Sequence, residues 1–465
     1  MLKCILRSRI IGISALVLTI MLSGCSTLPP ENTADNDSAV EKPQEEQPSM
    51  VEQLSSLQSV EDTAEALRVF ENSSGKLSRD EKIVMAALQI SEGKLQDARE
   101  TLDVVLIEEP ENPDAVYTYA LLEDAENLPD ARDARLEEAL RLDPSHVDAH
   151  LFQGMVRLVN RDYAHANENF SFILNIQPDN FLALSGAATV QMNLDNINDS
   201  IELLDRAIEL EPEYAYLYVD RARAWKGLKK YGKAEDNLTK AIKLEPDVEW
   251  HYLDRARIRI QYFHDLEGAY EDLLKLESLN PDNFFGNVYM AGILDDWKRY
   301  DEAEEQYLKV LDARPNYGFA HEPLAKIAYM NGRFEDAKNH FIQAYDFEPG
   351  DVCYILSAAI CMEKTGDKRS AKQVLKDVAP RVTRGTLEYE MFRYYLSPGS
   401  DFFISDKIKK EKNEELRSRM YFYLGAQYDM IDLRKSALAA YGNVMEKSEF
   451  YESDLAVWEL NRIEE

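Results

Sequence analysis

An all-α solenoid of antiparallel helical hairpins is the fold this sequence predicts. Three observations predict it. Prolines recur at a fixed interval through the middle of the chain, very small side chains keep the same beat ten residues later, and large apolar ones keep it eight residues earlier.

The prolines are Pro110, Pro144, Pro178, Pro212, Pro246, Pro281, Pro315 and Pro349, spaced by 34 residues except for one interval of 35 between Pro246 and Pro281. A period in this range marks stacked helical hairpins, each too small to bury its apolar face alone. Proline cannot continue a helix, so each one ends the second helix of a hairpin. Polar residues beside it then cap the next helix, as Asn112 does before Pro113. The small positions are Ala120, Gly154, Ala188, Ala222, Ala256, Ala291, Ala325 and Ala359. The large ones are Leu102, Leu136, Phe170, Leu204, Leu238, Leu273, Tyr307 and Phe341. Twelve residues before the proline, alanine dominates (Ala98, Ala166, Ala234, Ala269, Ala303, Ala337), with Arg132 and Ser200 as exceptions. Small residues at matched points let two backbones approach, and the large ones fill the adjoining holes. A coiled coil is excluded, because its period is seven and it does not tolerate regular proline.

These positions resemble the tetratricopeptide repeat. The resemblance implies a right-handed superhelix whose concave groove is lined by the first helix of each hairpin. It covers 79–382 as nine contiguous repeats, the first and last degenerate, and reappears at 418–465 as a C-terminal repeat and capping helix, where Leu424, Gly425, Tyr428, Ala437 and Tyr441 fall at family spacing. Between them, 383–417 departs from the pattern and reads as an irregular or eroded hairpin. Residues 51–78 read as an N-terminal capping helix region, since a terminal unit must shield the stack.

The start of the chain carries a different signal. Lys3, Arg7 and Arg9 precede an apolar run from Ile10 to Leu22, too short to span a bilayer and of the length of a signal-peptide core. It ends in Leu22-Ser23-Gly24-Cys25, which resembles the lipobox of bacterial lipoproteins. That resemblance implies a signal peptide over 1–24 and acylation of Cys25, and Ser26 after it implies sorting to the outer membrane. Two acyl chains hold a protein on a membrane where one does not. Residues 25–50 are rich in Pro, Glu, Asp and Asn and bury too little to fold, so they read as a tether stiffened by Pro29, Pro30, Pro43 and Pro48.

With Cys4 in the leader and Cys25 acylated, Cys353 and Cys361 remain. Eight residues apart on one helix, they are roughly 12 Å apart, too far for a disulfide. The net charge of −32 argues against nucleic acid as a partner. No glycine-rich phosphate loop, nucleophile elbow or metal-ligand spacing is present. His146 and His150 flank Asp148, but without a fourth ligand they read as structural. The chain is read as a non-enzyme without cofactor or metal, binding protein partners of unspecified identity while held at a membrane by its lipid anchor.

The groove positions are four, seven, eleven and fourteen residues after each proline, one stripe of the first helix. Four after, successive repeats carry Tyr216, Trp250, Phe285 and Phe319, an aromatic row across adjacent units. Arg223, Lys226, Arg257 and Lys326 follow on the same stripe and would make it locally basic. Aromatics and arginines dominate binding hot spots, so these eight residues are the expected partner-binding groove. The family's carboxylate clamp is not matched, because no lysine occupies the position seven after any of these prolines. Arg221 and Arg255, next to the small alanines, are expected to pair with nearby acids such as Asp272. Lys407, Lys409, Lys410 and Lys412 read as a solvated helix face. Together these features predict a membrane-anchored scaffold or adaptor of the bacterial cell envelope, lodged at the outer membrane, with a surface adhesin for host protein or glycan as the alternative.

Overall fold

The computed structural model describes residues 63–73, 77–397, 399, 401–445 and 450–464. The expected signal peptide, Cys25 and the tether lie outside these residues, as does the first part of the N-terminal cap. The described residues are all-α, with no strand among them, and fall into two compact units divided between Asn237 and Leu238.

In the first unit a short helix α1 (Thr63–Glu71) precedes four hairpins. These are α2/α3 (Arg79–Ser91, Leu95–Glu108), α4/α5 (Pro113–Ala125, Pro129–Leu142), α6/α7 (Val147–Val159, Tyr163–Ile176) and α8/α9 (Phe181–Asn193, Ile197–Leu210). Helix α10 (Ala215–Gly227) follows, and the unit boundary falls inside α11 (Tyr231–Leu244). The second unit continues with α12/α13 (Glu249–Ile258, Leu266–Leu279), α14/α15 (Phe284–Asp296, Tyr300–Ala313), α16/α17 (His321–Met330, Phe334–Phe347) and α18/α19 (Cys353–Lys364, Lys368–Val378). Residues 387–410 form a further hairpin of two short helices, α20/α21 (Leu387–Leu396, Asp401–Lys410). After it come α22/α23 (Glu414–Met430, Arg434–Tyr441) and a final helix α24 (Glu452–Glu464).

The caps follow from the residues beside the prolines. Two positions after the proline, Asn112, Asn180 and Asn283 each accept a hydrogen bond from the backbone N–H three residues on, at 2.9, 3.0 and 3.0 Å. His146 does the same with Nδ1, at 3.2 Å from the N–H of Ala149. Ser78 and Glu81 make a reciprocal capping box at the start of α2.

Between the two helices of each hairpin from α2/α3 to α18/α19, one residue adopts a left-handed conformation. These residues are Gly93, Asn127, Arg161, Asp195, Lys229, His264, Lys298, Gly332 and Gly366, again spaced by 34 with a single 35. The extra residue has a visible home: after α12 the helix widens into a π turn over Arg259–Phe263, ending on His264 at φ 53°. A π turn takes up one residue without breaking the helix. Each side chain other than glycine in this conformation costs roughly 1 kcal/mol, tolerated because the tight turn sets the hairpin.

The expected small-on-large packing is present in detail. Phe170 is fully buried, and a Cβ placed on Gly154 or Gly186 would lie 2.9 or 2.4 Å from its ring. Glycine at both positions is therefore what admits the phenyl ring between α6 and α8. Cys353 and Cys361 are buried free thiols, and burial pushes both well above the usual thiol range.

Candidate functional site

The groove-lining row divides between the units. Tyr216, Arg223 and Lys226 sit on α10 of the first, and Trp250, Arg257, Phe285, Phe319 and Lys326 belong to the second. In the second unit the row is open to solvent: Trp250 is 41% exposed, Phe285 46% and Phe319 66%. Tyr216 is half-buried and its ring lies 5.7 Å from that of Tyr214.

The expected basic patch is not a free cationic surface. Arg223 pairs with Asp220 at 2.9 Å and Arg257 with Asp254 at 3.6 Å, each an acid three residues earlier on the same helix. Lys326 departs furthest from expectation. It is buried, with Nζ 2.7 Å from Asp295 and 3.1 Å from Asp454. Burial alone would lower its ammonium, but the two carboxylates outweigh that and raise it above the usual lysine range. Of the four cations, Lys226 and Arg223 are exposed.

Asp454 lies on α24, and this explains the burial. The C-terminal helix is seated against the first helices of the last hairpins, α16, α18 and α22, so the chain fills its own groove there. Glu459 accepts from Tyr329 at 2.5 Å and pairs with Lys364 at 2.8 Å. Glu452 accepts from Arg419 at 2.9 Å and from Tyr423 at 2.7 Å, while Arg419 also reaches Asp351 at 2.7 Å. Ser357, Tyr423 and Tyr451 close a hydroxyl triangle with sides of 3.0 to 3.1 Å. Glu452 and Glu459 are fully buried, and burial raises the Glu452 carboxyl above its ordinary range despite Arg419. Such charges are tolerated only because each meets a partner across the groove.

The other flagged residues have structural partners. Arg255 grips buried Asp272 through two bonds of 2.5 and 3.0 Å, as expected, and Arg221 reaches Asp205 at 2.5 Å and Asn237 at 2.8 Å. His150 lies 3.0 Å from Asn169 and 3.0 Å from the carbonyl of Pro144. No group of three metal-ligating side chains occurs among the described residues. Lys407 pairs with Glu390 at 2.8 Å and Lys410 with Asp406 at 2.7 Å.

One titratable pair was not singled out by sequence. His321 and His340 meet Nδ1 to Nδ1 at 3.0 Å, which requires one shared proton and so at least one neutral ring. Burial pushes His321 down, and burial together with His321 pushes His340 down. Asp336 and Glu304 oppose the latter shift and Arg333 adds to it. The unfolded chain takes up protons below the ordinary histidine range that the folded pair resists. The pair's contribution to the stability of the second unit therefore falls as pH drops from about 7 to about 5. A urea midpoint measured at both ends should fall less in a His340→Gln variant than in wild type. Equal falls would remove the pair from the account.

This geometry defines a repeat solenoid with a row of exposed aromatic side chains in its second unit. Residues 121–167 and 290–317 each match a family described as tetratricopeptide repeat. These two segments thus match the tetratricopeptide repeat that the residue spacing resembles. Among solved structures the chain is similar to pilF of Pseudomonas aeruginosa, at 17% identity and TM-score 0.41, covering 46% of this chain and 97% of that one. It is also similar to YrrB, described as a TPR protein with an unusual peptide-binding site, at 17% identity and TM-score 0.37 over 41% of this chain and 97% of that one. A third likeness is to MamA of Desulfovibrio magneticus RS-1, at 18% identity and TM-score 0.33, covering 37% and 96% of the two chains.

Proposed function

We propose that this protein is a scaffold or adaptor of the bacterial cell envelope, held to the outer membrane by an acylated Cys25, that captures protein partners on the aromatic row of its second unit. The carrying observation is the exposure of Trp250, Phe285 and Phe319 at the same position of three successive repeats. Large aromatic side chains left in water at matched points offer apolar area at low ordering cost, which is what interaction hot spots use. Lys326 and the end of the groove under α24 are already filled, so the partner surface is the stretch between Trp250 and Phe347. The Leu22-Ser23-Gly24-Cys25 box supports the anchor, and the acidic, proline-bearing segment behind it supports a tether.

The test is a crosslinking pull-down from native membranes with wild type and a Trp250→Ala, Phe285→Ala, Phe319→Ala variant. Loss of the same captured envelope proteins at an unchanged helical melting curve is the expected result, with at least ~2 kcal/mol of binding lost, or roughly thirtyfold. Unchanged capture would make the row a packing feature. Incorporation of labelled palmitate that disappears in Cys25→Ser tests the anchor, and digestion of the protein by protease on intact cells would favour the adhesin alternative.

A further inference from the structure

Beyond the row itself, the rings of the second unit join into a continuous ladder. Centroids run from Phe285 to Phe284 at 5.3 Å, on to Tyr317 at 5.1 Å, to Phe319 at 5.6 Å and to Phe347 at 4.7 Å, with most steps edge to face. Phe285, Phe319 and Phe347 are each more than two-fifths exposed. The ladder follows the edge where each second helix hands over to the next first helix. It is built rather than incidental: a Cβ on Gly318 would lie 2.0 Å from the ring of Phe347, so glycine there lets that ring lie flat against the turn. Arg314 lies 3.8 Å from the centroid of Phe284 and is exposed, with no acidic partner among the described residues.

From this geometry we infer that the ladder is a docking strip for an extended, proline-containing segment of a partner protein, with an acidic side chain of that segment received by Arg314. This rests on the scaffold reading above and names the chemistry of its partner. Three features select this occupant. A polyproline II segment leaves its backbone solvated and needs no hydrogen bonds from a surface that offers only rings. It returns the same face every third residue, about 9 Å along the chain, close to the reach of two ladder steps such as those of 5.1 and 5.6 Å from Phe284 through Tyr317 to Phe319. Prolines three apart would therefore meet every second ring of the ladder. Arg314, already stacked on Phe284, keeps its guanidinium edge for a carboxylate, and a stacked guanidinium loses little freedom on pairing.

The experiment is fluorescence anisotropy of the full-length protein in detergent with three labelled peptides. One repeats a Pro-Xxx-Xxx-Pro pattern with flanking glutamates, the second replaces its prolines with alanine, and the third replaces its glutamates with lysine. Saturable binding of the first, at least tenfold weaker binding of the other two, and at least a tenfold loss in Phe319→Ala are expected. Arg314→Glu should reverse the preference between the glutamate and lysine peptides. Phe319 and Arg314 are exposed, so neither change threatens the fold. Equal binding of the alanine peptide, or unchanged binding by Phe319→Ala, would overturn the inference. No binding of any peptide, together with envelope capture that still depends on Phe285 and Phe319, would overturn this inference and leave the scaffold reading standing. Capture indifferent to those residues would overturn both.

Discussion

Arg419→Ala is expected to destabilise the second unit by about 3–5 kcal/mol, the cost of stranding one member of a buried ion pair. Arg419 is the cation that holds Glu452, which is fully buried on α24, and it also ties in Asp351. One oxygen of Glu452 takes both Arg419 and Tyr423, while the other has no partner, so the carboxylate has no alternative donor of equal charge. Removing the guanidinium leaves a charge where solvation is poor. The loss should shrink as pH falls, because a protonated Glu452 no longer needs a cation. The double variant Arg419→Ala, Glu452→Ala should lose less than the sum of the two single changes. Urea unfolding followed by circular dichroism measures all three, and a loss below about 1 kcal/mol for Arg419→Ala would mean that α24 is not held by this pair.

Phe170→Ala is expected to cost the first unit about 3–5 kcal/mol, the range for emptying a fully buried aromatic site. Gly154 and Gly186 line the ring, and neither has a side chain that could move into the space. The sign of a second change checks the mechanism. Gly186→Ala in the wild type pushes a methyl group into the ring and should destabilise by about 1–3 kcal/mol. In the Phe170→Ala background the same methyl group fills vacated volume and should recover part of the loss. Two losses that simply add would show that the ring is not what the glycine accommodates.

Much of this architecture was readable from residue spacing. The proline beat places the end of each second helix, and the small and large positions name pairs such as Gly154 and Phe170 that do meet. The single 35-residue interval was visible as an irregularity, but nothing local says that it becomes a π turn at Arg259–Phe263. The left-handed position between helices keeps the same beat. It shows at Gly93, Asn127, Gly332 and Gly366, and is disguised by Arg161, Lys229 and Lys298, residue types that usually avoid that conformation. Helix α24 was legible as a capping helix, but not its seat. Its contacts to Lys326 and Tyr329 span 128 and 130 residues, and no periodicity encodes a pairing that distant.

The candidate site was legible in one respect and misread in another. The aromatic row follows from its place four residues after each proline. Its continuation through Phe284, Tyr317 and Phe347 lies at other offsets, so a reading along one stripe passes over it. The basic character assigned to Arg223 and Arg257 ignored Asp220 and Asp254, three residues earlier in each case. That spacing places acid and base side by side on a helix and was available from the sequence. Lys326 differs, because its burial depends on Asp454, far along the chain.

The most direct test of the central claim places a photoreactive phenylalanine analogue at Phe319 in cells and, separately, at Leu308, an exposed apolar residue on the second helix of the preceding hairpin. The account predicts a discrete crosslinked envelope protein from position 319 and none from position 308. Adducts of equal yield at both positions, or none at 319, would contradict the claim that the aromatic row is where this protein meets its partner.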